Sequence, residues 1–366
     1  MSLPETMRAA VLHGPHDLRV ETIEVPGLGE GELLLQVTGA GICGSDAALF
    51  AGGNEAIPPR ESGVFPVVLG HEFAGRVVAA APRTGFEPGE LVASGAGVSC
   101  GKCDRCLAGR TNLCRVYRTA GVYRHGGLAE FVAIPASTCV RAAEHGVSGD
   151  DAGLAQPMAI ACHALSRGRV AAGERVLVIG IGGVGAFIVW AAAQAGAEVT
   201  ACDTVPERLQ LARELGAAAA IAVGPEAPLQ TQVAEGALWD LAMEASGSDA
   251  GVQASLELLE RGGRLVLVGT QKLPRSVDLS RVTRDELDLL GTHAHVCAAD
   301  LPQALELLAA RAEGWADVAP VAIPLEDVLA EGIEPMLEGR PQRIKTLIDP
   351  RVSARRPYDR TERSVQ

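Results

Sequence analysis

Three groups of residues in this chain pair reactive side-chain types with spacings that support chemistry. Cys100, Cys103, Cys106 and Cys114 crowd into SCGKCDRCLAGRTNLC as C-x2-C-x2-C-x7-C. Four thiolates this close can complete a tetrahedron around zinc and leave no ligand position open, the mark of a structural site. An iron–sulfur cluster is the alternative, but ferredoxin-type runs set the fourth cysteine closer and follow it with proline, whereas Cys114 precedes Arg115. The second group is Cys43 in GICGSD, with Ser45 two residues on, and His71-Glu72 in VVLGHEFAG. Thiolate, imidazole and carboxylate are ligand types zinc accepts, and a site assembled from two separate strand ends suits a catalytic metal with one position open. Taken alone, the His-Glu pair fits a solvated turn better than a metal site. The third group is VLVIGIGGVGAFIVWAAAQAGAEVTACD, Val176 to Asp203. Gly180 permits a sharp turn, Gly182 a close approach of backbone to a pyrophosphate, and Gly185 tight packing of helix on strand. Asp203 falls where a carboxylate accepts hydrogen bonds from a ribose and repels a 2′-phosphate, which predicts NAD rather than NADP. The uncharged run to Ala197 has the length of a membrane span. Its glycine cluster weakens such a helix, and the strand, turn, helix and carboxylate agree on a dinucleotide site.

The elements that must hold these groups follow from the pattern around them. Short strands broken by turn residues run through 8–12, 18–24 and 32–38, and a further strand is expected at 126–134. A helix begins near Gln156. Beyond Asp203 come a helix over 206–217, strands at 240–245, 264–269 and 287–293, and a helix over 251–259 that Gly262 and Gly263 should close. Such alternation specifies a parallel sheet covered on both faces. A helix at 301–311, a strand at 318–323, a helix at 325–331 and a last strand at 344–348 follow, and the polar tail from Arg351 is expected to be disordered.

Composition narrows the function classes. A formal charge of -13 argues against nucleic acid and anionic membrane as partners. The first residues, MSLPETMRAAVLHG, lack an apolar run of signal-peptide length, which predicts a cytoplasmic protein. In a reducing compartment, nine cysteines with four clustered point to metal rather than disulfides, and Cys139, Cys162, Cys202 and Cys297 read as small core residues.

With GICGSD, GHEFAG, the four-cysteine segment, GGLAEF and GIGGVG in this order, the sequence resembles the zinc-dependent medium-chain alcohol and polyol dehydrogenases from Met7 to about Asp349. The resemblance implies an α/β fold: a Rossmann doubly wound parallel sheet for the nucleotide domain, plus a mostly β GroES-like catalytic domain carrying the structural zinc lobe. It divides the chain into a catalytic domain at 1–155 with the lobe near 97–116, an NAD-binding domain at 156–297, a return to the catalytic domain at 298–350, and the tail at 351–366. One catalytic and one structural zinc per chain are implied, with Cys43, His71 and Glu72 at the former and Asp46 supporting the histidine. Gly183 and Val184 would offer N–H groups to the pyrophosphate, Arg208 would lie near the adenosine ribose, and Ala245, Ser246 and Val268 would line the nicotinamide side. A homodimer or homotetramer acting on a small-molecule alcohol or ketone is implied.

Two positions depart from that family. Relatives place Glu or Cys where this chain has Gln156, so the third protein ligand is either Glu72 directly or Gln156, alone or through a water. A histidine three residues after the relay hydroxyl Ser45 is replaced by Ala48, which closes one proton exit. The implied reaction is reversible oxidation of a secondary alcohol with hydride passing to NAD. Two rivals share much of the site: an epimerase or lyase that oxidises its substrate transiently, and a non-catalytic NAD-binding regulator.

Overall fold

A computed structural model describes residues 3–53, 65–271, 273–340 and 343–361. The chain divides into two compact units, Met1–Ala159 with His295–Gln366, and Ile160–Ala294. The divisions expected from sequence were 155/156 and 297/298.

The first unit begins with β1 (Thr6–Gly14), β2 (Asp17–Glu24) and β3 (Glu32–Gly41), the last leading into helix α1 (Gly44–Phe50). β4 (Val67–Val68), β5 (Glu72–Ala80) and β6 (Leu91–Ser94) precede a lobe made of β7 (Gly97–Val98), α2 (Asp104–Leu107) and β8 (Arg118–Thr119). β9 (Phe131–Pro135), β10 (Cys139–Arg141) and α3 (Gly149–Gly153) follow, and α4 (Ala155–Gly168) continues into the second unit.

That unit holds β11 (Arg175–Ile179), α5 (Gly185–Gln194), β12 (Glu198–Asp203), α6 (Pro206–Glu214) and β13 (Ala219–Ala222). It continues with α7 (Leu229–Gln232), β14 (Trp239–Glu244), α8 (Asp249–Glu257), β15 (Leu259–Leu267), α9 (Leu279–Arg284) and β16 (Asp288–Gly291). The chain then returns to the first unit through α10 (Cys297–Ala309), β17 (Val321–Ile323), a π-helical turn at Val328–Ile333, α11 (Glu334–Leu337), β18 (Leu347–Ile348) and β19 (Arg356–Pro357).

In the second unit all strand pairs are parallel, in the order β13-β12-β11-β14-β15-β16. The order reverses beside β11, which opens a crevice at the strands' C-terminal ends. Its core is aliphatic, with Leu177, Ala242 and Leu265 buried together. In the first unit the main sheet runs β10-β6-β5-β3-β18-β17-β19, and β9 also pairs with β3. Leu33, Leu35, Phe73 and Ile134 form its core together with Ile323 and Ile348 from the returning segment.

Several local expectations change. The strand expected at 126–134 starts only at Phe131. Gly262 and Gly263 lie within β15, where pairing with β14 jumps from Leu259 to Arg264, because α8 has already ended at Glu257. The helix expected at 325–331 is split into a 3-10 turn, a π turn and a short α-helix.

The tail is the largest correction. Instead of disorder from Arg351, Arg356 and Pro357 pair antiparallel with β17. The Arg356 guanidinium donates to both oxygens of the buried Asp150 at 2.7 Å each and to Asp349 Oδ2 at 2.8 Å, and the Asp359 N–H donates to Asp150. Polar composition misled here because Arg356 and Asp359 meet the buried Asp150, far away in sequence. Residues 362–366 lie outside the described residues.

Burial alone would raise the Asp349 carboxyl, yet hydrogen bonds from Arg351 and Arg356 outweigh it and hold the group below its ordinary range. Its contribution is therefore present above the unfolded value of about 3.9 and is lost as pH falls through the lower folded value. Arg356→Met should leave two buried carboxylates short of a partner and cost about 3 kcal/mol or more at neutral pH. It should also blunt the acid-side loss of stability that begins near pH 4. Denaturant unfolding across pH checks both; a variant as stable as the parent would show that the clasp contributes nothing.

Candidate active site

The pairing of β3 with β5 builds the first cluster. A register shift between Val37 and Gly39 resets the ladder so that Gly41 faces Glu72. Two residues past Gly41, Cys43 begins α1; one residue before Glu72 stands His71. Ligand atoms of Cys43, His71 and Glu72 all lie within 4.8 Å of one another, and both His71 and Glu72 are buried. The Cys43 N–H donates to Asp46 Oδ2 at 2.9 Å, and the other Asp46 oxygen lies 3.5 Å from His71 Nδ1. Asp46 thus faces one ring nitrogen, and the other, Nε2, lies 3.2 Å from Ser45 Oγ. Burial disfavours the charged imidazole, but the Asp46 carboxylate and Cys43 outweigh it and raise its pKa well above the ordinary value. A soft sulfur, a nitrogen and a hard oxygen at these separations fit zinc, and three protein ligands leave room for a fourth partner.

The lobe gives the second cluster. Cys103 Sγ lies 3.6 Å from Cys106 Sγ and 4.0 Å from Cys114 Sγ, and Cys100 Sγ lies 4.0 Å from Cys106 Sγ. A tetrahedron with zinc–sulfur bonds of about 2.3 Å has edges of about 3.8 Å, so the four thiols fit that ion without rearrangement. Backbone N–H groups of Arg115 and Cys106 lower the Cys103 thiol to about 6, while burial and the other thiols push Cys106 to about 11. All nine cysteines are free thiols.

The third group lies at the C-terminal ends of β11 and β12. Gly180 takes φ 90°, and a Cβ on Gly185 would collide with the Gly180 carbonyl, which is how the start of α5 comes so close to the strand. Beside Gly182 there is open space. No side chain caps α5 at Val184, so its first N–H groups, next to Gly183, remain available to a phosphate. Asp203 Oδ2 accepts from Ile181 N at 2.6 Å and Oδ1 from Val205 N at 2.9 Å, with Arg208 3.5 Å away. Ala245 and Ser246 follow β14, and the Val268 N–H, after β15, bonds back to Glu244. An uncapped helix start beside the glycine turn and a fixed carboxylate fit a dinucleotide.

Residues 29–144 match the alcohol dehydrogenase GroES-like domain, and residues 183–310 match the zinc-binding dehydrogenase domain. The erythritol/L-threitol dehydrogenase of Mycolicibacterium smegmatis is 34% identical over 80% of this chain and 84% of its own length. Human sorbitol dehydrogenase is 31% identical over 93% of this chain and 95% of its own. The chain belongs to the zinc-dependent medium-chain alcohol and polyol dehydrogenases. Among solved structures, a protein from Sinorhizobium meliloti 1021 described as a zinc-binding dehydrogenase, bound to NADP, superposes with a TM-score of 0.83 at 27% identity, covering 95% of this chain and 100% of the other. This dehydrogenase is therefore an oxidoreductase of alcohols with a GroES-like unit and a Rossmann unit, whose cofactors are zinc and a nicotinamide dinucleotide. No described helix is long and apolar enough to cross a membrane.

Gln156 is buried in the first turn of α4. Residues 54–64, most of the loop between Phe50 and Phe65, lie outside the described residues.

One residue of the dehydrogenase went unnoticed in sequence. Lys345 is buried in ion-pair contact with Glu72 Oε2, and its Nζ donates to the Ile42 carbonyl at 3.0 Å. A Cβ at Gly41 would collide with the Glu72 carboxylate, so the glycine makes the space the pair occupies. The signal was compositional: Lys345 is one of three lysines in a chain with 29 arginines. A compact ammonium suits a buried niche that a guanidinium fork would overfill.

Two outcomes test the metal assignments. Cys103→Ser should lower zinc from two to one per chain and destabilise the fold, since closed four-thiolate sites contribute to folding. Wild-type thermal stability with unchanged zinc content would refute it. Glu72→Ala should lose the other zinc on dialysis, whereas Gln156→Ala should keep it; if Glu72 only supports the ligands, its loss costs about 10- to 100-fold in affinity and the order reverses.

Proposed function

We propose that this dehydrogenase reversibly oxidises a secondary hydroxyl of a polyol, diol, amino alcohol or cyclitol to a ketone, with NAD as hydride acceptor. The observation that carries the reading is the convergence of Cys43, His71 and Glu72 beside the Ser45 hydroxyl. Zinc bound by these three side chains supplies Lewis acidity that lowers the pKa of the alcohol, and the nicotinamide supplies C4 as the hydride acceptor.

The chain's own residues do the rest. Asp46 fixes the ring of His71 through Nδ1. Ser45 Oγ takes the proton from the substrate hydroxyl and hands it towards the ribose hydroxyls or water. Ala48 carries no proton, so the exit does not pass through that side chain. Lys345 balances the Glu72 charge through its ion pair with Oε2. Gly183 and Val184 hold the pyrophosphate, and Arg208 packs beside the adenosine ribose. Asp203, a carboxylate held in place by two backbone N–H groups, would repel a 2′-phosphate by charge and supports NAD, although the Sinorhizobium relative holds NADP. Named polyol substrates among the relatives support the substrate class. We place the enzyme in the cytoplasm as a homodimer or homotetramer, in line with its free cysteines and its family.

A panel of polyols, vicinal diols, amino alcohols and cyclitols should include at least one that yields NADH stoichiometrically with ketone. Turnover without net NADH would favour a transient oxidation instead. Asp203→Ala should shift the ratio of kcat/KM for NAD and NADP towards NADP, and an unchanged ratio would show that Asp203 does not read the ribose.

A further inference from the structure

Glu244 ends β14 as a fully buried carboxylate that none of the roles above uses. Its Oε1 accepts from Ser246 N at 2.8 Å, from Gly247 N at 3.0 Å and from the Ser246 hydroxyl. Its Oε2 accepts from Gly247 N and from Gln271 Nε2, each at 3.2 Å. The Ser246 hydroxyl also meets Ser248 Oγ at 2.8 Å, and Ser248 caps α8 through Gly251 N. One carboxylate thus ties together the turn after β14 and the turn after β15. Burial outweighs these donors and raises the group above its ordinary carboxyl range, so its charge depends on them.

The place matters as much as the contacts. β14 lies next to β11 on the side of the reversal opposite β12. Asp203 ends β12 and claims the adenosine half, so the other half of a dinucleotide spans towards β14. A Cβ on Gly180 would stand 2.8 Å from Ser246 N, which shows how tightly the Glu244 turn is fitted to the fingerprint turn. Gly251 is held to glycine by the same network, since a Cβ there would stand 2.8 Å from Glu244 Oε1.

We propose that Glu244 is a positioning residue for the nicotinamide half of the cofactor, setting the turns after β14 and β15 between which that half must lie. The inference rests on the reading that a nicotinamide dinucleotide binds at the β11–β14 reversal. An acceptor-only group is required, because an amide would turn a donor towards N–H groups that already donate.

Calorimetric titration of the full-length protein with NADH and, separately, with AMP tests it. Glu244→Gln should raise the Kd for NADH by about tenfold while leaving that for AMP within about twofold. Gln271→Met, which keeps the carboxylate and removes one donor, should act in the same direction by about threefold, and it decides the matter if Glu244→Gln fails to fold. Unchanged NADH affinity in the folded variants overturns the inference, and so does parallel weakening of AMP and NADH, the signature of damage to the whole unit. A parent protein that binds AMP but not NADH overturns the cofactor reading itself, and the role of Glu244 with it.

Discussion

The antiparallel register of β3 against β5 is the constraint on which the catalytic unit depends. Because side chains alternate along a strand, a slip of one residue would turn Glu72 to the other face and carry His71 away from Cys43. The shift between Val37 and Gly39 sets that register, a use of irregular pairing often seen beside active sites. The site is then a consequence of where two strands end. Cys43 leaves one, His71 and Glu72 enter the other, and Asp46 on the first helical turn braces both.

Buried charge imposes the second constraint. Glu72 sits 1% exposed, and an unpaired carboxylate there would be strongly destabilising. Lys345 answers that from β18's approach, so the return of the chain to the first unit completes the site's electrostatics as well as its core. The tail repeats the device, with Arg356 spanning Asp150 and Asp349. In the second unit, hydrogen bonds from backbone and side chains meet the Glu244 carboxylate.

Much of this was legible in the sequence because the chemistry is local there. The four cysteines of the lobe and the glycines from Gly180 to Gly185 lie within short segments whose spacing alone limits their geometry. Cys43 and His71 were legible only as ligand types, since their meeting depends on a strand register that no local pattern records. Lys345 and Arg356 were not legible, because each acts on a carboxylate more than 200 residues away. Glu244 falls within the strand expected at 240–245, and its donors come from turns whose shape the sequence does not spell out.

The central claim is that this register assembles a three-ligand metal site separate from the lobe. Zinc-edge anomalous diffraction from crystals of the intact protein tests it most directly. The account predicts two peaks, one enclosed by the four lobe cysteines and one with Cys43, His71 and Glu72 each within about 2.0–2.3 Å. A single peak in the lobe, with Glu72 still paired only to Lys345, would contradict it.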